Sequence, residues 1–109
     1  ISLELHYLTP QIRTATKNGK AARKVLGEDL ARSFHSLIAD MRGAMFLGEV
    51  PGKPIVQETG GTIWLNYPLG VSAVLEVEPI GAGDVDGNNW PNVHRVKILR
   101  ILNNGAVLA

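Results

Sequence analysis

A chain of 109 residues has room for one domain with one core, and its 45% hydrophobic and 19% charged residues exclude a disordered tail or a fibre. The absence of cysteine excludes disulfides, thiolate metal sites and a cysteine nucleophile, and no apolar run approaches the ~18 residues of a membrane span, so we expect one cytoplasmic domain over 1–109 with no membrane partner. The net charge of +1 conceals an asymmetry: residues 1–53 carry eight Lys or Arg against five Asp or Glu, and residues 54–109 carry three against five.

Ser2 to Leu8 alternates, with Leu3, Leu5 and Tyr7 on one side, and predicts a half-buried strand. Thr9-Pro10 reads as an N-cap with proline at the first helical position, opening a helix to about Lys17 that stops at Asn18-Gly19. From Lys20, the residues Ala22, Val25, Leu26, Leu30, Phe34, Leu37, Ile38, Met41 and Met45 keep helical spacing and predict one apolar core stripe. Gly27 interrupts it, leaving one kinked helix and two separate helices both open. Val50 to Pro54 is a loop, Ile55 to Glu58 a short strand, and Gly60-Gly61 a tight turn. Thr62–Tyr67 and Val71–Glu78 alternate as strands, the second with Val71, Ala73, Leu75 and Val77 on one face. A polar loop, Gly81–Asn92, precedes a last strand from Val93 to about Leu102. Strands gathered after helices predict an α+β fold: an N-terminal strand, two helical segments, and a mainly antiparallel sheet of three to four strands packed against the helices.

The basic residues concentrate early, with Arg13, Lys17, Lys20, Arg23 and Lys24 arriving before any acid after Glu4. Such a block meets phosphate or an acidic partner, or is simply a solvated helix face. In the last strand, strict alternation gives neither face a clean character. A bulge near Ile98-Leu99 would bring Val96 and Ile101 inward and leave Arg95, Lys97 and Arg100 outward together. Other motifs fail on spacing. Gly81–Gly87 is neither a dinucleotide loop nor a calcium loop, and Gly19-Lys20 is not a P-loop. His6, His35 and His94 lie on separate elements and are not expected to bind metal. His35 reads as a helix-surface residue, and His94, beside Arg95, as a general acid or base or a solvated side chain. Trp64 and Trp90 read as packing anchors.

Several runs together resemble the HigB-like, plasmid-maintenance "killer" branch of the RelE/ParE toxin superfamily. They are Leu3–Thr9, Lys24–Ser33, Met41–Pro51, Leu75–Pro79 and Asn89–Ile101, in the family's order and over nearly the whole chain. The resemblance implies a RelE-like fold and the toxin of a type II toxin–antitoxin pair, neutralised by an antitoxin expected to be a helix-turn-helix protein. HigB-like members cut messenger RNA on the ribosome without a metal or other cofactor, by attack of a 2′-hydroxyl on the adjacent phosphate. That chemistry needs cations around the phosphate and groups to move two protons.

Carried onto this chain, the resemblance leaves His94, Arg95, Lys97 and Arg100 as candidate catalytic residues, with Tyr67 as a proton donor. Arg13, Lys17, Lys20, Arg23 and Lys24 become the RNA-binding set. The chain also departs from the family. Thr59-Gly60-Gly61 stands where a basic turn is usual, Ala73 or Val74 where a strand arginine is usual, and Asn103-Asn104-Gly105 where a Tyr-His tail is usual. The expected function is a ribosome-dependent endoribonuclease toxin. The alternatives are a ParE-like gyrase poison of the same fold and an inactive member that only binds its antitoxin.

Overall fold

The computed structural model describes residues 3–81 and 83–109; Ser2 of the expected first strand and Ala82 of the expected polar loop lie outside the described residues. The fold is α+β. Strand β1 (Glu4–Tyr7) leads into helices α1 (Pro10–Lys17), α2 (Gly19–Leu26) and α3 (Glu28–Gly43). Strands β2 (Ile55–Thr59), β3 (Thr62–Leu69), β4 (Ala73–Ile80), β5 (Arg95–Asn103) and β6 (Ala106–Val107) follow.

Local chemistry sets the helix boundaries. The Thr9 hydroxyl accepts from the Ile12 N–H at 3.2 Å, and Pro10 fills the first helical position. Asn18 serves two helices: its N–H donates to the Thr14 carbonyl, and its side-chain Oδ1 accepts from the N–H groups of Lys20 and Ala21 at 2.9 and 3.1 Å. Gly27 has φ of +83°, a backbone conformation L side chains rarely adopt, and it separates α2 from α3. The interruption therefore makes two helices rather than one kinked helix.

That break also corrects the expected single stripe. The helical period does not carry across Gly27, so Val25 is 37% exposed; α3 ends at Gly43, so Met45 lies outside it and is 46% exposed. Ala22, Ala31, Phe34, Ile38 and Met41 do pack inward, against Leu65, Tyr67, Leu75, Val77, Val96, Ile98 and Ile101 of the sheet.

The sheet is mixed, in the order β1-β5-β4-β3-β2, with the short β6 also paired to β5. β1 runs parallel to β5 in the register Glu4↔Arg95 to Tyr7↔Ile98; the other pairings are antiparallel. β3 continues through Pro68 and Leu69, which moves the turn onto Gly70–Ser72 and leaves Val71 fully exposed instead of inward. Pro68 lies beyond the last β2–β3 pair, Ile55↔Asn66, where a missing N–H costs no ladder bond.

In β4–β5, Glu76 faces Arg100 and Val77 faces Ile98, so Leu99 is the extra residue of a bulge. Val96, Ile98 and Ile101 are fully buried, and Arg95, Lys97 and Arg100 take the opposite, outer face. The expected bulge is present at its expected position.

Candidate functional site

The outer face of the sheet collects the basic row of β5, and acids meet it. Arg95 Nε lies 3.3 Å from Glu4 Oε2 across the parallel β1–β5 pairing, and Glu4 Oε1 is 2.9 Å from His6 Nε2. Arg100 donates to the Glu76 carboxylate directly opposite it on β4. Lys97 stands in register between Glu78 on β4 and His6 on β1, with no carboxylate within 4 Å among the described residues. The row is thus basic on β5 alone. Across three strands each of these cations has one acid in register beside it: Glu4 for Arg95, Glu78 for Lys97 and Glu76 for Arg100.

The remaining members of the expected catalytic set sit elsewhere. His94 precedes β5, is exposed, and rests its ring against Phe46 at a centroid separation of 4.5 Å; its carbonyl accepts from the Glu4 N–H at 2.8 Å. His94 and Arg95 share a cleft of about 560 Å³ with Glu4, walled by Ile80, Val85 and Val93. Tyr67 is on the other side of the sheet, buried in the core facing the helices. Its hydroxyl has no hydrogen-bond partner among the described residues, and burial pushes its pKa up to about 12. A phenol so placed cannot hand a proton to a ligand on the outer face. Arg95, Lys97 and Arg100 are therefore brought together, His94 stands at their margin, and Tyr67 is separated from them by the thickness of the sheet.

The second expected set has a different setting. Arg13, Lys17, Lys20, Arg23 and Lys24 are all exposed, and none has a carboxylate within 4 Å among the described residues. Helix α3 adds residues that the sequence reading did not include. His35 Nε2 lies 2.8 Å from the Ala15 carbonyl, satisfying an acceptor in the last turn of α1. Two clefts meet at Gly19 and His35, one flanked by Arg23 and Arg32, the other by Lys17 and Arg42. Of these cations Arg32 is paired, with Glu28 at 3.6 Å on an exposed helical turn. Only the three-dimensional packing of α3 beneath α1 and α2 joins Arg42 and His35 to the basic block. Their i,i+7 spacing was visible, but not the face they share with other helices.

No family model, curated protein or solved structure matches the chain.

Proposed function

We propose that the chain is a RelE/HigB-like toxin-fold protein of a type II toxin–antitoxin pair that acts in the cytoplasm by binding rather than by cutting messenger RNA. The order of elements supports the relationship: an N-terminal strand, helices, then antiparallel strands, with the first strand lying beside the long β5. The runs that resemble the family fall on β1, on α2 and α3, and on β4 and β5, the parts that build this arrangement.

The observation that carries the binding reading is the pairing of the β5 cations. Phosphoryl chemistry on the outer face requires donors free to turn toward developing negative charge. Arg95 and Arg100 are already engaged by Glu4 and Glu76, and Glu78 stands across from Lys97. An entering phosphate would meet three carboxylates as well as three cations, while Tyr67 is out of reach. The exposed cations of α1 and α2, which have no carboxylate within 4 Å among the described residues, offer the better surface for an acidic partner, in the first place the antitoxin. A gyrase-type target belongs to the same class, since it too would be bound and not cleaved.

One observation favours the nuclease as a second reading: His94, Arg95 and Glu4 line one cleft, which supplies an imidazole, a guanidinium and a carboxylate side by side. Induced expression in a bacterium, with message ends mapped within minutes, separates the two. The binding reading expects no new 5′ ends inside translated frames, and a stable complex with the protein encoded beside this one. New 5′ ends that disappear in His94→Ala or Arg95→Ala would overturn it.

A further inference from the structure

The parallel pairing of β1 leaves one of its flanks open. The Glu4 and Leu8 N–H groups donate to the carbonyls of His94 and Ile98 at 2.8 and 2.9 Å. In a parallel ladder alternate residues face alternate flanks, so the peptide groups of Leu5 and Tyr7 point away from β5. On that side lies a groove of about 900 Å³, floored by Leu5, Tyr7, Leu8 and Pro10 and walled by Arg13 and Lys17 of α1. Leu8 is 42% exposed, and the Lys17 ammonium lies 5.9 Å from the centre of the Tyr7 ring. An open strand edge, a floor about half apolar, and a basic wall with no carboxylate within 4 Å among the described residues thus run along one groove.

We infer that this groove takes an extended acidic segment of a partner polypeptide, which adds to the sheet as a new strand beside β1. The chemistry selects that occupant. Leu5 and Tyr7 offer alternating N–H and C=O groups, which another peptide backbone satisfies and a nucleic-acid backbone, lacking donors at that spacing, does not. Side chains two apart on a strand are separated by roughly 6.6 Å. Arg13 and Lys17, four apart on α1, are separated by about 6 Å of helical rise. Acids at alternate positions therefore meet both cations. A second copy of this chain pairing β1 to β1 about a two-fold axis would bring its own Arg13 and Lys17 against the same pair, and like charges oppose that.

This inference rests on the binding reading only in taking the occupant to be a protein. The test uses the purified chain and no cell, so it can fail or succeed whatever the message-mapping experiment returns. The probe is a synthetic peptide of about eight residues alternating glutamate and valine, compared with its lysine–valine counterpart and with an oligouridylate. Backbone amide resonances report where each binds. The expected result is binding of the glutamate peptide alone, slowed hydrogen exchange at the Leu5 and Tyr7 amides, and weakening by about tenfold or more in Arg13→Glu/Lys17→Glu. Both substituted residues are exposed, and an unchanged amide spectrum elsewhere verifies that the variant is folded. Three results overturn the inference: no perturbation of β1 by the peptide at millimolar concentration, perturbation confined to the β2 edge, or tighter binding of oligouridylate in this groove.

Discussion

Tyr67 and Glu49 are polar residues whose environments differ in kind, and their titration should differ accordingly. The Tyr67 hydroxyl is buried without a partner among the described residues, and burial raises its pKa from 10.0 to about 12. Between those values the unfolded chain ionises and the folded chain does not, so the stability present below pH 10 is progressively lost as pH rises toward 12. Tyr67→Phe removes both the unpaired group and its titration. It should leave stability at neutral pH unchanged or raised by about 1 kcal/mol, and flatten the alkaline loss. Denaturant unfolding across that pH range checks both; a marked loss of stability at neutral pH would mean that the hydroxyl is bonded. Glu49 is the converse case. Its Oε1 accepts from the N–H groups of Met45 and Phe46, each at 2.9 Å, and these bonds, that from Phe46 first, hold its carboxyl below the ordinary glutamate value. A depressed folded pKa stabilises above the ordinary value, and the contribution is lost as pH falls through the depressed one. Glu49→Gln should lower stability at neutral pH and make acid unfolding less steep, which a comparison of urea midpoints at neutral and acid pH measures.

At the scale of elements, two short 3-10 turns, Leu47–Glu49 and Trp90–Asn92, lock the helix layer to the loop before β5. The Leu47 N–H donates to the Val93 carbonyl at 3.0 Å, and a Cβ added at Gly48 would lie 2.5 Å from Pro91 Cβ and 3.0 Å from its backbone. Gly48→Ala should therefore cost about 1–3 kcal/mol through overpacking. Pro91→Gly, which removes the nearest obstructing atom, should recover part of that loss in the double variant; thermal melts of both variants give the comparison. Local signals such as Thr9-Pro10 and Gly60-Gly61 were legible in the sequence because each acts within a few residues, whereas Asn18-Gly19 and Gly27 marked breaks without fixing their geometry: Asn18 is extended rather than left-handed, and Gly27 left a kink and a full break both open. The β5 bulge was legible for a related reason, since the charges of Arg95, Lys97 and Arg100 and the apolar Val96 and Ile101 satisfy one sheet only with Leu99 extra. The hairpin at Asn104-Gly105, with φ of +51° and +84°, carries the usual dipeptide signal, but the two-residue β6 after it is too short to show any period. The candidate site was less legible. That Glu4 would neutralise Arg95 depends on a parallel pairing between segments 91 residues apart, and alternation reports which face a residue takes, not which strand lies beside it.

Taken as a whole, the molecule has two unlike sides. The helix side carries cations, from Arg13 to Lys24 on α1 and α2 and Arg42 on α3, that have no carboxylate within 4 Å among the described residues, while on the outer sheet side each β5 cation has one acid in register beside it. An acidic macromolecule approaching from solution is steered toward the helices and meets little net field at the sheet. A binding protein with its charged surface on one side accounts for that division more directly than a nuclease whose phosphate site lies on the balanced face. The placement of β1 beside β5 has a consequence of another sort, in time. Loop closure over such a separation is entropically costly, and it must precede the contacts that reward it. On a ribosome adding roughly 5–20 residues per second, β1 waits on the order of 5–20 s for its partner strand to be synthesised. Throughout that interval the apolar side chains of Leu3, Leu5 and Tyr7 have no sheet to join. The first strand made is among the last to be secured, and a nascent chain stalled before Arg95 carries an unpaired strand that any chaperone or neighbouring chain can capture.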